Sequence, residues 1–108
     1  MANRGRLKSS ELAMEQQQAR AQDLAVAAFD FIAAQPRRLG RFLEMTGIAL
    51  ESIREATRET NFLAGVLDHL SGDESLLLAF CAQTGIDPNE VIRARAVLSR
   101  HCRERDTP

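Results

Sequence analysis

Phe42-Leu43-Glu44-Met45-Thr46-Gly47-Ile48 and Phe80-Cys81-Ala82-Gln83-Thr84-Gly85-Ile86 are two passages of one form, 38 residues apart. Each has a phenylalanine four residues ahead of Thr-Gly-Ile. Each follows an apolar stripe at helical spacing: Leu39, Phe42 and Leu43 in the first, Leu76, Leu77, Phe80 and Cys81 in the second. A glycine at the end of such a stripe takes the left-handed position that stops a helix. The isoleucine after it packs back on the third residue from the helix end, here Leu43 and Cys81.

Extended outward at the same offset, residues 24–58 align with residues 62–96 without a gap. Asp30 falls on Asp68, Leu39 on Leu77, Phe42 on Phe80 and Ala56 on Ala94. Phe29 and Leu67, Ile32 and Leu70, and Ile53 and Val91 match in kind. The chain has no tyrosine or tryptophan, no sustained alternation of apolar and polar residues, and is dominated by helix-forming types. The expected architecture is therefore all-α, with about six helices arranged as two repeated three-helix units. Neither unit can bury its apolar face alone. The two are expected to pack with approximate twofold symmetry around Phe42 and Phe80.

Start and stop signals set the boundaries. Residues 1–9 read as a disordered basic tail, and Ser10 as the cap of a first helix running to about Ala34. Its front, Glu15 to Asp23, is polar, and its back, Leu24 to Ala34, is apolar. Pro36 suits the first turn of the second helix. The third is expected over about Leu50–Arg58, the fourth after a cap at Thr60 or Asn61, and the fifth after Asp73. Asp87-Pro88-Asn89-Glu90 combines an N-cap, a proline at the first helical position and a capping-box glutamate. It begins a sixth helix running to about His101, with residues 103–108 fraying. Residues 10–102 thus read as a single helical domain. Ala49-Leu50 lacks the Asp-Pro of the second unit, so the Gly47–Ser52 connection is expected to be looser.

The ordered motifs Arg38-Leu39-Gly40-Arg41-Phe42-Leu43, Thr46-Gly47, Phe62 to Leu70, Asp73 to Phe80 and Gly85-Ile86-Asp87-Pro88 resemble a small family catalogued as domain of unknown function 3572. That family is found mainly in alphaproteobacteria. The likeness covers roughly Ala21 to Leu98. It implies a bacterial, all-helical protein and carries no catalytic residue across. Ala49-Leu50 departs from the Asp-Pro that such proteins often have at that step.

The net charge of -1 gives no bulk attraction to nucleic acid. Its distribution is uneven: nine basic against seven acidic residues over 1–58, two against six over 59–96, and three against two over 97–108. No apolar run approaches the roughly 20 residues of a membrane span. The basic start leads into Glu11-Leu12-Ala13-Met14, not an apolar signal core. A cytoplasmic protein is expected. Cys81 and Cys102 form no CxxC pair and have no histidine at metal spacing, which points to reduced thiols.

The candidate sites are clusters of charge. Asp68, Asp73 and Glu74 form an acidic group that would complement a basic protein partner. Arg37, Arg38 and Arg41 begin the second helix, and Arg93, Arg95, Arg100, Arg103 and Arg105 lie along the last. Arginine pairs with phosphate bidentately. His69, beside Asp68, could act as a base or a metal ligand, although the neighbouring acids suit a capping role. Cys81 lies on an apolar face and reads as a small hydrophobe. Cys102 sits among arginines that would activate a thiol, although a cysteine this near the chain end reads first as incidental. No phosphate-loop, dinucleotide, zinc-protease or nucleophile-elbow motif occurs, so no cofactor and no enzyme class is indicated. The expected function is a protein–protein interaction module. The alternative is a nucleic-acid-associated regulator using its arginines.

Overall fold

The computed structural model describes the backbone of residues 2–106 and the side chains of residues 12–100. Among these every regular element is helical: α1 (Ala2–Ala33), α2 (Pro36–Thr46), a 3₁₀ turn (Leu50–Ser52), α3 (Ile53–Ala56), α4 (Thr60–Ser71), α5 (Glu74–Thr84) and α6 (Pro88–Asp106).

The core is the mutual packing of α1, α4 and α6. On α1 the stripe Ala21, Ala25, Ala28 and Ile32 is buried at spacings of four, three and four residues. Three of these are alanine, so the α1 backbone can approach its neighbours closely. On α6 the buried stripe is Val91, Ala94 and Leu98. Helix α4 packs against both and buries seven of its twelve residues, including Phe62, Leu63, Val66, Leu67 and Leu70. Gln22 Nε2 donates to Thr60 Oγ1 at 3.3 Å, tying the start of α4 to α1. Helix α2 packs on α1, and α5 packs on α4 and α6.

Aromatic rings organise the interior as two groups. Phe29, Phe42 and Phe62 meet pairwise edge to face with centroids 5.5–5.9 Å apart. Phe31 and Phe80 form a separate edge-to-face pair at 5.5 Å. Phe42 and Phe80 are both fully buried, yet each sits among different partners.

The two Thr-Gly-Ile passages build the same helix end. Gly47 has φ 73° and donates its N–H to Leu43 O at 2.9 Å; Gly85 has φ 77° and donates to Cys81 O at 2.9 Å. Thr46 Oγ1 donates to Phe42 O, and Thr84 Oγ1 to Phe80 O, each at 2.8 Å. Beyond the isoleucines the two passages diverge. Asp87 Oδ1 accepts from the Asn89 N–H at 2.8 Å at the start of α6, which runs 19 residues. Ala49 offers no side-chain cap, and the chain makes only the 3₁₀ turn and the four-residue α3.

Four boundaries differ from those expected. Helix α1 starts at Ala2, so residues 2–9 are helical in their backbone and Ser10 lies inside the helix. Ala2, Arg4, Arg6, Leu7 and Lys8 favour helix, and no proline interrupts them. The third helix shrinks from Leu50–Arg58 to Ile53–Ala56. The cap position of α4 is Glu59, in extended conformation and without a side-chain bond, while Thr60 is the first helical residue and is buried. Helix α6 continues through Arg103–Asp106, where Arg103, Glu104 and Arg105 are good helix formers.

Candidate functional site

Pro36 fixes the first turn of α2, and Gln35 before it is extended, as a residue preceding proline should be. Arg37 and Arg41, four residues apart, therefore share one face of the helix and are exposed. Arg38 is half-buried, with its guanidinium 4.4 Å from the centroid of the buried Phe31 ring. A cation over an aromatic face is held electrostatically, so Arg38 covers the core as well as carrying charge.

The facing wall is the corner between α4 and α5. Gly72 ends α4 with φ -79°, and a Cβ there would lie 3.3 Å from Asp68 O. Close approach of the backbone, not a left-handed conformation, is what suits glycine to this corner. Asp73 caps α5 as expected, its Oδ1 accepting the Leu76 N–H at 3.1 Å.

Arg37, Arg38 and Arg41 meet His69, Asp73 and Ser75 in a cleft of roughly 280 Å³. Arg41, His69, Asp73 and Ser75 also line a second cleft of roughly 630 Å³ that takes in Met45, Asp68 and Glu74. The shared residues make the two clefts one groove. The α2 arginines and the acidic group, 27 or more residues apart in sequence, thus face each other. His69 lies at the centre, its ring edge-on to Phe42 at 5.2 Å. Burial lowers its pKa below the ordinary 6.5; Asp73 opposes the shift and Arg41 reinforces it. Burial thus favours the neutral ring, which offers one donor and one acceptor.

The arginines of α6 do not form one surface. Arg93 and Arg95 project roughly 200° apart around the helix. Arg95 reaches Asp68 and forms an exposed ion pair through Nε. Arg93 lines a different cleft of roughly 400 Å³ between α1 and α6, with Gln17, Arg20 and Glu90. Arg100 is exposed. The side chains of His101, Cys102, Arg103 and Arg105 lie outside the described residues.

Cys81 is half-buried against the core, and burial, with Asp87, raises its thiol pKa. Such a thiol is a poor nucleophile at neutral pH. Among the described residues no three His, Cys, Asp or Glu side chains come together as a metal-binding group. No described helix is long and apolar enough to cross a membrane. The sequence did not single out Met45, Ser75 or the Asp68–Arg95 pairing. Met45 carried a faint signal, as an apolar residue on the outer side of the α2 stripe. The pairing spans 27 residues and leaves no local pattern.

Comparison with curated proteins and with solved structures finds no significant match. The family model described as "Protein of unknown function (DUF3572)" matches residues 18–101, a span that contains the core stripes of α1, α4 and α6, both Thr-Gly-Ile helix ends and every wall of the groove; the chain belongs to that family.

Proposed function

We propose that this protein is an interaction module that holds a protein partner in the groove between α2 and the α4–α5 corner. The observation that carries the reading is the convergence of Arg37, Arg38 and Arg41 with Asp68, Asp73 and Glu74 on one groove around a half-buried histidine. The alternative, a nucleic-acid-associated regulator, has less support. Its arginines are divided between two faces, and those of α2 look across at carboxylates that would repel a phosphate backbone.

The module is further proposed to be built from two copies of one three-helix unit related by an approximate twofold axis. Two reciprocal contacts support this. Phe31 of the first unit meets Phe80 of the second edge to face, interplanar angle 70°. One repeat length on, His69 of the second meets Phe42 of the first in the same manner, at 84°. The matching helix ends at Gly47 and Gly85 support it as well. The groove then forms where the copies diverge: His69 stands at the position matching Phe31, and Leu76 at the position matching Arg38.

The test is capture of partners from native bacterial lysate by the tagged protein, with and without nuclease, alongside the Arg41→Glu variant. A stoichiometric protein that survives nuclease and is lost with Arg41→Glu is the expected result. Partners that disappear with nuclease would move the assignment to nucleic acid.

A further inference from the structure

Resting on the reading of this groove as a protein-binding face, we infer that it takes a peptide segment carrying an acidic and a basic side chain close together, the acid against Arg37 and Arg41 and the base against Glu74 and Asp68. The groove changes sign along its length. Its smaller end has Arg37 and Arg38, and its larger end has Asp68 and Glu74, with Arg41, His69, Asp73 and Ser75 common to both.

Contacts within the chain decide which charges are available. Arg38 is stacked on Phe31, and Asp73 gives Oδ1 to the cap of α5. Asp68 gives one oxygen to Arg95, and its second oxygen keeps acceptor capacity. Arg37 at one end, Glu74 at the other and Arg41 between them make no ion pair among the described residues. An exposed charge of each sign is therefore left at opposite ends of one groove. A uniform polyanion such as a nucleic-acid strand would satisfy the arginine end and be repelled at the other. A polypeptide can alternate its charges, and complementary placement of both fixes its register. Met45, 66% exposed beside the acidic end, offers a flexible apolar surface to the residues between. Neutral His69 at the centre provides a donor and an acceptor for main-chain groups.

The experiment titrates the full chain, followed by NMR, with three synthetic peptides of equal length and identical apolar residues. The peptides carry Glu and Lys, Glu and Glu, or Lys and Lys at the two charged positions, and a single-stranded DNA oligonucleotide serves as the polyanion control. The mixed peptide is expected to bind about fivefold tighter than either uniform one, the scale of one exposed charge pair. Its binding should move the resonances of Met45 and His69. Reversing one end of the groove should redirect the preference: Arg37→Glu with Arg41→Glu toward the Lys/Lys peptide, Glu74→Arg toward the Glu/Glu peptide. All three positions are exposed, and unchanged melting temperatures would establish that these variants fold. Tightest binding of the Glu/Glu peptide or of DNA to the unaltered protein would overturn the inference, as would preferences indifferent to either reversal. Absence of binding by every peptide, while a captured protein still depends on Arg41, would end this inference and leave the interaction-module reading standing.

Discussion

His69 links the packing to the groove, because its ring seals Phe42 on one side and lines the charged cleft on the other. Its pKa is lowered on folding, chiefly by burial. The unfolded chain therefore binds the proton more readily. The contribution of His69 to stability is complete above its ordinary pKa of 6.5 and is lost as the pH falls through that value toward the folded one. The urea midpoint is expected to fall between pH 7.5 and 5.5, and His69→Phe, which copies Phe31, should flatten that fall. An unchanged slope in the variant would show that other groups titrate there. At Gly47 and Gly85 a Cβ would meet nothing within 4 Å, so alanine there suffers only the strain of the left-handed backbone. Each replacement is expected to cost about 1 kcal/mol in denaturant melts. Both glycines were legible in the sequence, since a helix stop by a left-handed residue is a local event. The place of His69 was not, because its packing depends on Phe42, 27 residues earlier.

Some helix boundaries were more legible than others, and the difference is physical. A glycine stop or an Asp-Pro start imposes its own backbone geometry, and Gly47, Gly85, Asp73 and Asp87 act as their sequences imply. Ser10 and Thr60 are cap-competent residues that the chain does not use as caps. Ser10 lies between the helix-forming Leu7-Lys8 and Glu11-Leu12-Ala13-Met14, and Thr60 is buried, where its hydroxyl accepts from Gln22. The contrast between α3 and α6 has the same origin, because only α6 has a capped start and a buried stripe. Asp87→Ala is expected to cost about 1 kcal/mol in denaturant melts, the usual loss for an N-cap carboxylate. Amide exchange should be fast throughout Ile53–Ala56 and slow near Val91, Ala94 and Leu98. Equal protection in the two helices would contradict the view that the third helix of the first unit is marginal.

For the whole molecule, the core and the groove should separate under mutation. Phe42 is fully buried between two aromatic partners and the His69 ring, so Phe42→Ala is expected to cost about 3–5 kcal/mol in equilibrium unfolding. Arg41→Glu, one residue away and exposed, should change stability by no more than about 0.5 kcal/mol. The helical class and the candidate charges could be read from residue spacing, but not which charges meet. Arg93 and Arg95 are near neighbours in sequence, yet Arg93 lines the cleft between α1 and α6 while Arg95 pairs with Asp68; Arg41 and Asp73, by contrast, share one cleft across 32 residues. That outcome depends on how α2 docks against the α4–α5 corner. The most direct test of the groove as the binding face is amide hydrogen exchange of the protein alone and bound to its captured partner. Protection gained over Arg37–Met45 and Asp68–Leu76, with the Arg20 and Arg93 segments unchanged, is the expected footprint. Protection centred on Arg20 and Arg93, with the groove unaffected, would contradict it.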